Sequence, residues 1–266
     1  MDQQEPQFLE VGQGPKRRRL AYALADSGPG GSGLALLWLP GFLSDMVSTK
    51  ALALADWAEA RGHSMLRFDY SGHGLSPGNL LEASIGDWLE EATSMLGLLK
   101  GKRVIVIGSS MGGWIALLLA RALAKSGGVP LAALVLIAPA WDMTEKLMWE
   151  KMSEKTRRLV ETEGLYYAPS LYGDPYPITK HLIDEGRKHL VVGGGIEVGA
   201  PVRILQGMRD PDVPWQHALA LVDLLASDDV QLTLVKDGDH RLSEPGDLRR
   251  LEATVAALVE RVQDST

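Results

Sequence analysis

Val104-Ile105-Val106-Ile107-Gly108-Ser109-Ser110-Met111-Gly112-Gly113 joins a β-branched run to a helical pattern through glycines that bracket Ser110. A strand that turns into a helix this abruptly has no room for a side chain on either flank of the serine, and it forces the serine's own backbone into a strained conformation. The serine hydroxyl then projects above the sheet, with the positive end of the following helix dipole beneath it. Gly108-x-Ser110-x-Gly112 in this setting reads as a nucleophile elbow. The competing reading is a phosphate loop. A dinucleotide fingerprint needs glycine where Ser110 stands, and a P-loop needs Gly-Lys followed by Ser or Thr, which does not occur. Ser109 lacks the flanking glycines.

Around the elbow, the runs Leu34 to Leu39, Val104 to Ile107, Leu131 to Ile137, Val202 to Leu205 and Val230 to Val235 lack clean two-residue alternation, as strands buried on both faces do. Between them, Thr49 to Ala60, Ile85 to Leu99, Met111 to Lys125, Gln216 to Leu225 and Leu248 to Val262 repeat apolar residues at three and four, the spacing of helices. This alternation predicts an α/β fold, a mostly parallel central sheet with helices on both faces, whose functional residues lie on the loops at the carboxyl ends of the strands. The alternation fails between Pro139 and Pro201. That stretch carries Trp141, Trp149, Tyr166, Tyr167, Tyr172 and Tyr176, too long for a plain crossover, and it reads as an inserted cap over 140–200 on a core of 1–139 and 201–266. Gly193 to Gly195 suggests a joint near the cap's end.

Composition sets the outer bounds. The formal charge of -7 disfavours nucleic acid as a partner, and the basic run Lys16 to Arg19 reads as a solvated stretch leading into a strand over Leu20 to Leu24. With no cysteine there are no disulfides, thiol nucleophiles or thiolate metal sites. The most apolar segments fall short of the roughly 20 residues that span a bilayer, so no transmembrane helix is expected. The acidic, polar Met1 to Glu10 contains no signal-peptide core, and a cytoplasmic protein is expected.

A serine hydroxyl needs a base, and histidine titrates close enough to neutrality to take its proton and return it. His240 lies in Lys236-Asp237-Gly238-Asp239-His240 after the strand Val230 to Val235, last in chain order, where the base belongs when the triad runs serine, acid, histidine. His63 reads as opening a strand, His181, His189 and His217 fall in helical or cap segments, and His73 in Asp69-Tyr70-Ser71-Gly72-His73-Gly74 reads as structural or pocket-lining. The orienting acid is expected in Gly207-Met208-Arg209-Asp210-Pro211-Asp212-Val213-Pro214. Asp210 is preferred as closer to the strand end, with Asp212 a turn residue, while Asp237 and Asp239 shape the histidine loop. An oxyanion would be met by the N–H of Met111 and by that of Phe42, where Gly41 lets the backbone turn back toward Ser110. No cofactor is needed and no metal-ligand cluster is evident.

Leu39-Pro40-Gly41-Phe42, Phe68-Asp69-Tyr70-Ser71-Gly72-His73-Gly74-Leu75-Ser76, the elbow with Trp114, Gly207-Met208-Arg209-Asp210 with Val213-Pro214-Trp215, and Asp239-His240-Arg241 together resemble the α/β-hydrolase superfamily. The elbow and the Asp-His-Arg ending look most like the branch of a mitochondrial acyl-protein thioesterase and acyl-glucuronide esterase. The likeness runs from about Leu34 to the C-terminus and weakens in the cap. It implies the α/β-hydrolase fold, the triad Ser110, Asp210 and His240, and cofactor-free hydrolysis of a small-molecule ester or acyl thioester. Pro40-Gly41 replaces the His-Gly of many relatives, as in that branch, and no mitochondrial targeting segment is read. Two rival functions stay open: C–C hydrolysis or cofactor-free peroxidation on the same triad, and a hydrolase-like binding module that has lost catalysis.

Overall fold

A computed structural model describes residues 5–28, 32–126, 129–169, 175–193, 195–227 and 229–264. Tyr172 and Gly194 lie outside the described residues. The chain opens with β1 (Gln7–Val11) and β2 (Arg18–Ala25), then alternates: β3 (Leu34–Leu39), α1 (Thr49–Glu59), β4 (Ser64–Phe68), α2 (Ile85–Leu96), β5 (Arg103–Ser109), α3 (Met111–Ser126) and β6 (Leu131–Ile137). It closes with β9 (Val202–Gly207), α6 (Trp215–Leu224), β10 (Val230–Val235) and α7 (Pro245–Asp264). These strands form one sheet in the order β1-β2-β4-β3-β5-β6-β9-β10. It is parallel from β4 to β10, and β1 and β2 pair antiparallel at one edge.

Strand alternation explains why the central runs look uniformly apolar. In β3, Ala35, Leu37 and Leu39 face a layer that holds Trp88 of α2, Trp114 of α3 and Leu221 of α6. Leu34, Leu36 and Trp38 face the other layer, with Leu54 of α1 and Leu251, Val255 and Leu258 of α7. β5 divides in the same way, Val104 and Val106 against Ile105 and Ile107. Both faces are dry, so hydrophobic burial acts on every residue of the strand. β10 differs from expectation. It is the edge strand, and its burial alternates over Val230 to Thr233 because one face has no full helical cover. β1 was not legible either, being short, mostly exposed and flanked by charge.

Between β6 and β9 the chain forms a π-helical turn (Met143–Trp149), α4 (Glu154–Glu163), β7 (Leu165–Ala168), β8 (Tyr176–Thr179) and α5 (Lys180–Gly186), with β7 and β8 a separate antiparallel pair. Among the described residues, several hydrogen bonds tie this stretch to the rest. Glu185 of α5 accepts the Gly86 N–H at the start of α2 at 3.0 Å, and Trp141 donates through Nε1 to the His217 carbonyl at 2.9 Å. No described helix is long and apolar enough to cross a membrane.

The basic run does more than the solvated stretch expected of it. Arg17 pairs with Glu10, and Arg19 lies over the Phe8 ring. Arg18, only 14% exposed, meets Asp87, Glu90 and the fully buried Glu91 of α2. Glu91 in turn accepts the Ser71 N–H and hydroxyl, at 2.9 and 2.6 Å. Burial pushes the Glu91 carboxyl up from its ordinary 4.5 to about 7, against the opposing pull of Ser71 and Arg18. Folding raises this pKa, so the folded state holds the extra proton between those values and stability falls as pH rises through that window. Arg18→Met should therefore cost on the order of 3–5 kcal/mol at about pH 8, where Glu91 is charged and left unpaired, and clearly less at about pH 5, where it is neutral. Urea melts at the two pH values check this, and equal losses would contradict it.

Candidate active site

The strands' carboxyl ends carry four loops toward one point, those after β5, β9, β10 and β3. At the first, β5 stops at Ser109 and α3 starts at Met111, leaving Ser110 alone between them at φ +54°. A β-carbon on Gly108 would lie 2.3 Å from the Gly112 carbonyl oxygen, and one on Gly112 would lie 2.1 Å from that of Leu39. Neither contact is possible, which is the structural meaning of the two glycines. Backbone bonds from Ser110 N–H to the Ile137 carbonyl, 2.8 Å, and from Ala140 N–H to the Ser110 carbonyl, 3.1 Å, clamp the turn against β6.

His240 comes from the loop after β10 and Asp210 from the loop after β9. The Met208 N–H reaches the Val235 carbonyl and the Arg209 N–H that of Gly238, each at 2.9 Å, so the two loops are stitched together. Gly207 makes this possible, since a β-carbon there would lie 2.4 Å from the carbonyl oxygens of Gly238 and Asp239. His240 Nε2 lies 3.1 Å from Ser110 Oγ, and its Nδ1 lies 2.7 Å from Asp210 Oδ2. The carboxylate of Asp210 is itself fully enclosed. Its Oδ1 accepts the N–H groups of Asp212 and Val213 at 2.9 and 2.8 Å, and Gln206 Nε2 donates to Oδ2 at 3.2 Å. Asp212 stands one step aside, within the same 4.8 Å cluster as Asp210 and His240. Those three are the described side chains able to share a metal ion, and the 2.7 Å bond already engages two of them. Asp239 accepts the Leu242 N–H, and Asp237 pairs with Arg209 at the surface, so both aspartates shape the loop as expected.

The loop after β3 passes directly over the serine. A β-carbon on Gly41 would come within 3.3 Å of Ser110 Cβ. Ser44 N–H closes a turn on the Gly41 carbonyl at 3.1 Å, with Leu43 at φ +57°, a strained value for leucine. In that turn the N–H of Phe42 is not used by the closing bond. The Met111 N–H opens α3 just beyond Ser110.

The surroundings of Phe42 were not legible in the sequence. Its ring packs near His73, Trp88 and Tyr176, at centroid distances of 6.1, 5.9 and 6.1 Å. His73 is buried, bonded through Nδ1 to the Ser71 carbonyl at 3.2 Å, and burial lowers its pKa. Its ring backs Phe42 and Trp88. His63 stacks on Trp57, just ahead of β4. Trp141 stacks on His217 at 4.2 Å, and Trp149 lies under Arg157 and Arg187. Of the described aromatics between Pro139 and Pro201, Tyr176 is the one in ring contact with Phe42.

A strand-to-helix serine joined by hydrogen bonds to a histidine and an aspartate from two later strand ends agrees with what similarity shows: the chain belongs to the α/β-hydrolase family. Residues 35–175 match the family model described as "Serine aminopeptidase, S33". The mouse protein named palmitoyl-protein thioesterase ABHD10, mitochondrial, is 36% identical over 231 residues, covering 85% of this chain and 75% of that one. The solved structure of mouse ABHD10 superposes with a TM-score of 0.84 at 32% identity, over 96% of this chain and 99% of that one. A crystal structure of an Agrobacterium vitis S4 protein superposes with a TM-score of 0.91 at 43% identity, over 96% and 98%.

The elbow geometry carries a direct test. Gly112→Ala drives a β-carbon into two backbone carbonyls, so it should destabilise by about 3 kcal/mol or more and lower the melting midpoint by roughly 6–12 °C. Gly97→Ala, where a β-carbon meets nothing within 4 Å, should leave the midpoint nearly unchanged. Equal midpoints in the two variants would contradict the close approach.

Proposed function

We propose that the chain is a serine hydrolase of carboxylic esters or thioesters, with Ser110 as nucleophile, His240 as base and Asp210 as the acid that orients it. The observation that carries this reading is the continuous chain from Ser110 Oγ through His240 to Asp210, at 3.1 and 2.7 Å. Ser110 Oγ attacks the acyl carbonyl while Nε2 takes its proton. The carbonyl oxygen becomes an oxyanion and turns to the N–H groups of Phe42 and Met111. Asp210 fixes the tautomer that leaves Nε2 free to accept and stabilises the imidazolium that follows. Collapse expels the alcohol or thiol, which leaves with the proton from His240, and an acyl-Ser110 ester remains. Water deprotonated by His240 attacks that ester, releases the acid and restores Ser110.

The thioesterase name of the mouse relative favours an acyl thioester among the substrates. The stretch 140–200 serves in this reading as a cap, and Phe42 and Tyr176 form one wall of the acyl site. An aminopeptidase reading has the description of the matching family model in its favour, and aminoacyl anilides beside the esters separate the two. The compartment is a proposal of the same kind. A cytoplasmic site is the expectation, the relatives' names print the mitochondrion, and fractionation of the tagged chain distinguishes them.

Ser110→Ala should lose turnover of aryl esters and acyl-CoA thioesters by several orders of magnitude, and Asp210→Asn should lose about 10²- to 10⁴-fold in kcat with the fold intact by circular dichroism. Undiminished turnover in Ser110→Ala would overturn the assignment.

Each buried methylene adds up to about 0.8 kcal/mol, so kcat/KM should rise several-fold from acetyl to medium-chain esters. Tyr176→Ala should flatten that rise, whereas Trp141→Ala, which breaks the stack on His217, should lower stability and depress every chain length alike. A chain-length profile in Tyr176→Ala with the wild-type shape would remove Tyr176 from the acyl wall.

A further inference from the structure

Lys50, the second residue of α1, is only 8% exposed. Its ammonium donates to the carbonyl oxygen of Arg241, the residue after His240, and approaches Ser243 Oγ at 3.4 Å. Ser243 Oγ also donates to that carbonyl, at 3.0 Å. The side chain enters a small void walled by Ile137, Leu205, Val235 and Leu242. Burying an ammonium is costly unless hydrogen bonds and opposite charges offset the lost hydration. Here the ammonium holds the backbone of the histidine loop. Helix α1 also follows the Gly41–Ser44 turn, so one side chain couples the loop over Ser110 to the loop that carries His240.

We propose that Lys50 is a positioning residue, which pins the His240 loop to α1 and so keeps the imidazole within reach of Ser110. This rests on the serine hydrolase reading. Other bonds near that point, the Leu242 N–H on the Asp239 side chain and Ser243 Oγ on the Arg241 carbonyl, lie within the loop itself, whereas Lys50 reaches the loop from α1. Without the Lys50 ammonium the Arg241 carbonyl loses its tie to α1, and a displacement of about 1 Å at the imidazole is enough to cost on the order of 10²-fold in rate.

The charged groups facing the ammonium are Asp239 and Arg241 on the loop and Asp247 and Arg250 on α7. Burial lowers the Lys50 pKa to about 8, with Asp239 and Asp247 raising it and Arg241 lowering it further. The charged ammonium is the stronger donor, so its hold is full below that pH and weakens as pH rises through it.

Steady-state kinetics on an aryl ester from about pH 6 to about pH 10 test this in the wild type, Lys50→Met and Lys50→Arg. In the wild type, kcat should fall above about pH 8. Lys50→Met should show kcat about 10- to 100-fold lower at pH ~7, KM within about two-fold, and no falling limb, while Lys50→Arg should recover part of kcat and move the limb to higher pH. A Lys50→Met protein with kcat within about two-fold of wild type, or one that keeps the wild-type limb, would overturn the proposal. Should Lys50→Met fail to fold, a wild-type kcat that stays flat past about pH 9 would overturn it equally. Turnover that survives Ser110→Ala would instead remove the serine hydrolase reading itself, so the two failures are distinguishable.

Discussion

One strained residue organises this molecule. Ser110 is held at φ +54°, a conformation that costs an L-residue on the order of 1 kcal/mol or more, and it persists only because the surroundings over-determine it. The β5 strand fixes one side through Leu39 opposite Gly108 and Ser109 opposite Ile137. The Ser110 N–H and carbonyl are both clamped to the chain at and just after the end of β6. Gly108 lets the start of α3 close on the end of β5, and Gly112 lets the Leu39–Pro40 backbone pass within contact distance, so the constraint that raises the serine also brings the Phe42 loop over it. Side-chain volume at Gly108 would open the turn itself, and at Gly112 it would push away the loop that passes over the serine.

The remaining parts reach the serine because the parallel sheet delivers its carboxyl ends to one edge. β9 and β10 run in register from Val202 beside Val230 to Gly207 beside Val235, and the loops that leave them are tied by backbone bonds before they diverge. Asp210 is therefore presented to His240 with its second oxygen already engaged by Asp212 and Val213 N–H groups. This is a fixed acceptor, oriented before any substrate arrives, as electrostatic preorganisation requires. Behind the Phe42 loop, Glu91, Ser71 and Arg18 form a buried polar layer that links α2 and β2 to the turn carrying His73.

How much of this was legible follows from the range of each signal. The elbow is local: strand, glycine spacing and helix lie within ten residues, and the structure places Ser110 Oγ, the His240 imidazole and the Asp210 carboxylate in one hydrogen-bonded row. Asp210 Oδ2 lies 2.7 Å from His240 Nδ1 with Asp212 beside it, and distance from a strand end is a local property that the sequence does carry. What the sequence could not reveal depends on partners far along the chain. Arg18 reads as part of a solvated basic run until Glu91 is placed beside it. Trp141, Trp149 and Tyr176 read alike as aromatics of the cap until Trp141 is seen stacked on His217, Trp149 under Arg157 and Arg187, and Tyr176 against Phe42. Lys50 gives no signal at all, since a lysine early in an amphipathic helix is ordinarily solvated and its partner lies 191 residues away.

The central claim is that Ser110 alone, of the serines in this chain, is made nucleophilic by its surroundings. Peptide mapping by mass spectrometry after treatment with a fluorophosphonate tests it most directly, because the reagent adds covalently to an activated serine and leaves ordinary hydroxyls unmodified. The account predicts a single adduct on the peptide that contains Ser110, none on Ser109, and no adduct when His240 is replaced by Ala. An adduct on another serine, or an unmodified protein with the fold intact, would contradict it.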